Sequence, residues 1–375
     1  MGYSLKEAKD LVIKAGKMLV ESGLIARTWG NISARISDTQ FVITPSGLAY
    51  ETLTPEQIVV VNIKDCSHEG NIKPSSEKGI HADAYRLRPK VNFIIHTHQV
   101  KASVLSIEGK NLLVEKKEHK KILGDVIPCA GYGISSTKTL RKKVALEVSK
   151  YPDSPAILMK HHGTMCMGMD LEHSFQIAST LEELSEEKYI KVCKQNIVDQ
   201  KALLDYGRSE RKGDTFQLKW DKWTTQYPIN ELPESAPNVA HLHAAIYKAS
   251  KVNFILHATD EEIVTASNKQ MIIRPYLDDL AQIAGINLKT IENGLTKPLS
   301  IAKELKHKNA VLLTRAGALC TGKTADDAKA VEMVLKKGCA ASIYCNEINH
   351  TKWLSTLDAL IQRVVYVKKY SKKKV

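Results

Sequence analysis

The stretch VNFIIHTHQ, residues 91–99, sets His96 and His98 two positions apart at the end of an apolar run. Residues i and i+2 of a β-strand share a face, so both imidazoles project to one side of a rigid element. That is what two ligands of one metal ion require. The phrase returns as VNFILHAT at 252–259, where His257 stands for His96 and Thr259 for His98. At this spacing the repeat reads as a domain duplication rather than a solenoid.

Upstream of the first copy, NIKPSSEKGIHADAYRLR predicts a helix opened by Ser75, Ser76 and Glu77. Hydroxyls followed by an acid suit a helix N-terminus. The same donors and free N–H groups also suit a phosphate. Residues 4–23 carry apolar positions at helical spacing and stop at Gly23; TWGNISARIS and QFVITPSGLAY then read as strands. Gly30-Asn31 and Ser46-Gly47 are turn formers, which local sequence alone reads as hairpin ends. LTPEQIVVVNIKD gives a short helical turn and a buried strand.

Downstream, ILGDVIPCAGYG (122–133) reads as strand and loop, followed by a helix over 137–150. In PAILMKHHGTMCMG (155–168) a buried strand ends in His161-His162-Gly163 and a second strand follows, with a helix over 171–195 closing the unit. A third histidine at a glycine-flanked strand end strengthens the metal reading. Three neutral imidazoles leave a divalent ion an open coordination position, the pattern of catalytic rather than structural zinc.

The 375 residues suffice for about two domains, and 25% charged with 43% hydrophobic residues are ordinary globular values. No apolar run reaches membrane-span length, and the N-terminus reads as a helix with scattered charges rather than a signal peptide. Seven cysteines without framework spacing fit a reducing interior, so a cytoplasmic location is expected. The net charge of +13 lies in dispersed lysines and a terminal run, KKYSKKK (368–374), read as a solvated tail. No finger spacing or aromatic-and-basic stripe points to nucleic acid, and no membrane partner is expected.

GNIS (30–33), TPSGLAYETLT (44–54), PSSEKGIHADAY (74–85), IIHTHQ (94–99), IPCAGY (127–132) and KHHGTM (160–165) occur in an order and spacing that resemble the class II aldolase/adducin family, within about the first 195 residues. The resemblance implies an α/β fold made of two tandem α/β/α domains, each a mostly antiparallel central sheet with helices on both faces. It implies Zn2+, or another divalent ion, on His96, His98 and His162, with His161 packing nearby. Glu77 matches the acid/base carboxylate, and Asn31, Ser46, Gly47, Ser75 and Ser76 match the phosphate pocket. The implied reaction is cleavage of a ketose 1-phosphate to dihydroxyacetone phosphate and an aldehyde through a metal-stabilised enediolate. Epimerase, dehydratase and non-enzymatic adducin-like readings remain open on the same scaffold. Lys117 stands where the family places a tyrosine lent by a neighbouring subunit, with His119 and Tyr132 as candidate replacements. A homo-oligomer, either a dimer of tandem chains or a tetramer, is implied.

The expected division is a catalytic domain over 1–205, a linker over 206–230 and a degenerate copy over 231–375. In that copy LHAAIYKASKVNFILHAT and NAVLLTRAGALCTG parallel the first half, with Val239 opposite Glu77 and Ala316 opposite His162. No counterpart of GNIS or TPSG is recognisable there.

Overall fold

A computed structural model describes residues 2–25, 29–193, 204–292 and 294–369. It divides into two compact units, Met1–Lys191 and Val192–Lys368, apart from the chain's end. The first contains α1 (Leu5–Glu21), β1 (Gly30–Arg35), β2 (Gln40–Ile43), β3 (Val59–Asn62), α2 (Lys78–Leu87), β4 (Phe93–Thr97), α3 (Val100–Ser106), β5 (Leu112–Leu113), α4 (Lys117–Leu123), β6 (Val126–Ile127), β7 (Cys129–Ala130), α5 (Lys138–Lys150), β8 (Ala156–Met159), β9 (Gly163–Gly168) and α6 (Leu171–Cys193). Its main sheet runs β3-β2-β1-β4-β9-β8-β7 and is antiparallel except where β7 meets β8.

Alternation along β4 builds the two layers. Phe93 and Ile95 enter a core with Val12 and Leu19 of α1 and Leu181 of α6. Ile94 points the other way, into a core with Tyr85 of α2 and Leu140 and Val144 of α5. His96 therefore falls on the α2 face, directly opposite Asn31 on β1 and Met165 on β9.

The second unit contains β10 (Arg208–Lys212), β11 (Thr215–Trp220), β12 (Trp223–Pro228), α7 (Asn238–Ala249), β13 (Phe254–Ala258), α8 (Glu261–Asn268), α9 (Asp278–Ile283), β14 (Thr290–Ile291), α10 (Pro298–Leu305), β15 (Ala310–Leu313), β16 (Gly317–Gly322), α11 (Ala325–Glu347) and α12 (Thr356–Lys369). Its order, β12-β11-β10-β13-β16-β15-β14, repeats the first sheet place for place.

The expected linker over 206–230 is thus corrected: β10, β11 and β12 fill three of seven sheet positions. β10 is the counterpart of β1. Ser33 Oγ lies 2.7 Å from His81 Nδ1 and 2.8 Å from the Tyr85 hydroxyl, and Ser209 Oγ lies 2.6 Å from His243 Nδ1 and 2.8 Å from the Tyr247 hydroxyl. Arg35 donates to Val91 and Tyr85 carbonyls as Arg211 does to those of Val252 and Tyr247. A buried serine–histidine–tyrosine cluster with an arginine clasp is therefore common to both units. The basic end of the chain beyond residue 369 lies outside the described residues.

Candidate metal centre

A tight turn and a close strand contact deliver the third histidine. His162 N–H donates to Met159 O (3.0 Å) across a turn whose third residue, His161, adopts a left-handed φ of 63°. Gly163 follows where a Cβ would stand 2.3 Å from Thr97 O. Only glycine lets β9 approach β4 so closely at this point, and that approach carries His162 to the end of β4. His96, His98 and His162 then converge, each offering a ring nitrogen within 4.8 Å of the others. His96 and His162 are buried, and their rings stack at 5.0 Å.

The donor set fits a cation. His96 Nδ1 lies 2.7 Å from Thr164 O and donates to it, so the Nε2 of a neutral His96 presents a lone pair. That nitrogen faces His98 Nε2 at 3.2 Å and Glu77 Oε2 at 3.1 Å. Acceptors gathered so closely need a positive charge among them, whether protons or a metal ion. Two nitrogens bound about 2.0–2.1 Å from a tetrahedral ion lie roughly 3.3 Å apart, which the His96–His98 separation matches.

Glu77 occupies the N-cap of α2, one residue before the helix begins, and is 7% exposed. Oε1 lies 3.3 Å from His162 Nε2, while Oε2 also accepts from Asn31 Nδ2 at 3.3 Å. Burial pushes its carboxyl up, but the charges and hydrogen bonds of His162 and His96 outweigh it and hold it well below the usual range. Asn31 turns its other atom, Oδ1, to a close contact with His81 Nε2. Because Nδ2 donates to a carboxylate, Oδ1 must accept, so His81 donates through Nε2 and takes the Ser33 hydrogen at Nδ1. Burial, with the His96 charge, pushes His81 down to about 3 against the opposing pull of Glu77. It therefore stays neutral at ordinary pH, bridging Ser33 and Asn31.

The residues expected to hold phosphate come from three elements. A bridge between Pro45 and Pro74, with Ser75 N–H donating to Thr44 O (3.1 Å) and Ser46 N–H to Lys73 O (2.9 Å), sets the Ser46-Gly47 turn beside Ser75 and Ser76. Gly47 takes a φ of 77°. Ser75 Oγ accepts from Glu77 N–H at 3.2 Å, and the exposed Ser76 hydroxyl lies 2.7 Å from that of Ser136. Asn31 lies across the sheet with its side-chain amide engaged by Glu77 and His81. Tyr132 packs edge-on against His161 at 5.5 Å, whereas His119 is buried near Glu183 and Glu187.

Sequence reasoning missed Ser135 and Ser136. Ser135 Oγ donates to Glu77 Oε1 at 3.1 Å and Ser136 N–H donates to the same oxygen at 3.3 Å. They lie 58 and 59 positions away in the chain, on a loop with no periodicity to mark it.

The family model described as Class II Aldolase and Adducin N-terminal domain matches residues 10–189 and again 213–343. The chain belongs to the class II aldolase and adducin family. A 5-methylthioribulose-1-phosphate/5-deoxyribulose-1-phosphate aldolase of Escherichia coli O45:K1 is 35% identical over 182 residues, 48% of this chain and 83% of that protein. The L-fuculose phosphate aldolase of Escherichia coli K12 is 34% identical over 164 residues, 44% of this chain and 74% of that protein. A solved L-fuculose 1-phosphate aldolase aligns at 30% identity and a TM-score of 0.45, covering 50% of this chain and 87% of that one. This class II aldolase is an aldolase-type lyase with a three-histidine candidate metal site. No helix among its described residues is long and apolar enough to cross a membrane.

The second unit of this class II aldolase treats the equivalent strand differently. His257 pairs across the sheet with Leu319 as His96 does with Met165. Tyr206 N–H donates to His257 Nδ1 at 3.2 Å, which leaves Nε2 as the protonated nitrogen donating to Ala316 O at 2.5 Å. Asp205 Oδ1 stands 3.4 Å from Nδ1 and accepts from the Gly207 amide, while its Oδ2 accepts from the Asp221 amide.

Proposed function

We propose that the first unit is a zinc aldolase that cleaves a small ketose 1-phosphate to dihydroxyacetone phosphate and an aldehyde. The observation that carries this reading is the convergence of three imidazole nitrogens within 4.8 Å beside the buried Glu77 carboxylate. His96, His98 and His162 would hold the ion, which when bound polarises the substrate carbonyl and draws charge off the carbon–carbon bond being broken.

Cleavage requires a hydroxyl proton to leave the carbon that becomes the aldehyde, and a proton to reach the carbon released with the phosphate. Glu77 supplies the carboxylate for these transfers. Its depressed pKa keeps it ionised, the form that accepts a proton. Ser75, Ser76, Asn31, Ser46 and Gly47 lie about the start of α2, where hydroxyls and the positive end of the helix suit a phosphate dianion. The phosphate is the remote handle that fixes the reacting carbons.

In the second unit Thr259, Ala316 and Val239 replace two ligands and the acid, and we assign that unit an assembly role within a homo-oligomer. A cytoplasmic location accords with seven free cysteines. The test supplies zinc-loaded full-length protein with L-fuculose 1-phosphate and 5-deoxyribulose 1-phosphate and measures dihydroxyacetone phosphate. Glu77→Gln should retain the metal and lose turnover. An epimer or a dehydrated product in place of two fragments would reject the aldolase reading.

A further inference from the structure

Glu77 Oε1 is held from outside its own helix by the loop that joins β7 to α5. Its neighbours are Ser135 Oγ at 3.1 Å, Ser136 N at 3.3 Å and His162 Nε2 at 3.3 Å. Oε2 instead faces His96 Nε2 and Asn31 Nδ2. The two carboxylate oxygens thus have separate duties, one clamped by the loop and one turned to the histidine at the strand end.

The loop is built to keep that clamp in place. Gly133 has no room for a Cβ, which would lie 2.6 Å from Leu140 N, so the chain runs hard against the start of α5. Thr137 caps α5, accepting from Leu140 N at 3.3 Å and donating its hydroxyl to Ile134 O at 2.6 Å. Ser136 sits at a φ of 65°, a left-handed conformation that costs a residue with a Cβ. Residues held this way persist where the surroundings over-determine them, and here they aim the Ser136 N–H at Glu77. The Ser76–Ser136 hydroxyl contact at 2.7 Å ties the same loop to the start of α2.

We propose that Ser135 is a positioning residue for the proton transfer, its hydroxyl and the Ser136 amide together fixing Oε1 so that Oε2 is presented to the substrate. This deepens the aldolase reading and rests on Glu77 being the proton-transfer group. Unclamped, the carboxylate can rotate about its last side-chain bond, and the fraction of molecules with Oε2 in place falls. The loss therefore lies in kcat and not in substrate or metal binding.

The test compares Ser135→Ala and Ser135→Thr with wild type as zinc-loaded full-length chains on 5-deoxyribulose 1-phosphate and L-fuculose 1-phosphate. Metal content is determined by mass spectrometry, and a crystal structure of Ser135→Ala is determined. Loss of one charge-assisted hydrogen bond predicts a kcat lower by about ten- to a hundredfold. KM and one bound metal per chain should be unchanged, Thr should recover kcat to within a few-fold, and Oε1 should have left the Ser136 amide in the alanine structure. An alanine variant with wild-type kcat, a loss explained by missing metal, a Thr variant that fails to recover, or an unmoved carboxylate overturns the proposal. If Glu77→Gln is inactive while Ser135→Ala is not, only the positioning role fails; if Glu77→Gln is fully active, the aldolase assignment of Glu77 fails with it.

Discussion

Acidification from pH 7 to pH 5 should cost the second unit about 2 kcal/mol through His243 alone. This imidazole is wholly buried, accepting from Ser209 and donating through Nε2 to Tyr206 O at 2.8 Å. Burial pushes it down from 6.5 to about 4, with the Tyr206 carbonyl and Asp205 opposing and His257 assisting. The native form therefore stays neutral until about pH 4, while the unfolded chain takes up a proton near 6.5. Between those values the unfolded state binds more protons, so stability falls as the pH falls. At about 1.4 kcal/mol per pH unit, the roughly 1.5 units between 6.5 and 5 amount to about 2 kcal/mol. Urea midpoints at the two pH values measure it, followed by tryptophan fluorescence: Trp220, Trp223 and Trp353 lie in the second unit and Trp29 in the first. His243→Gln keeps one donor and one acceptor but cannot titrate, so it starts less stable and loses about 2 kcal/mol less on acidification. An identical loss in variant and wild type would refute the assignment.

Equilibrium dialysis against zinc should give one ion per chain; His96→Ala or His162→Ala should reduce this to none, and His257→Ala should leave it at one. Gly163→Ala places a Cβ 2.3 Å from Thr97 O and should destabilise the first unit by about 2–3 kcal/mol in urea while weakening zinc binding. Gly317→Ala meets Ala258 O at the same 2.3 Å and should destabilise the second unit similarly without touching metal content.

Legibility from sequence followed locality. The β4 and β9 strands announce themselves by apolar runs, and the histidines at 96, 98 and 161–162 by their place at strand ends, so the candidate cluster is legible from short patterns, while the choice of His162 within its pair rests on the family resemblance. Glu77 was legible as an acid at a helix start, though it stands at the N-cap rather than in the first turn. The segment 206–230 reads as a linker with one short strand, which β11 with its buried Phe216 and Leu218 satisfies. β10 and β12 were not legible because their faces are largely polar: β12 is an exposed edge reading WTTQYP, and RSERK keeps only Ser209 and Arg211 of the GNISAR pattern. What those two residues preserve is a set of hydrogen bonds, which no hydropathy pattern records. Ser135 was hidden for a related reason. Its role depends on a loop reaching back to a helix 58 residues earlier, and a serine in a loop looks like any other.

Gly30 opens β1 and Tyr206 stands two residues before β10, and the difference between them sets what the second unit would need in order to hold a metal ion. Beside His96 the first unit has no room for a Cβ, which would lie 2.3 Å from the His96 carbonyl, whereas Tyr206 lays its ring 5.3 Å from that of His257. The Tyr206 amide has also reversed the imidazole's tautomer, so the nitrogen that offers a lone pair in His96 carries a hydrogen in His257. Writing histidines at Thr259 and Ala316 would supply ligands to a position whose own imidazole, His257, is turned the wrong way. A metal centre there would also need the backbone at Tyr206 to move, a change that yields nothing without the ligands.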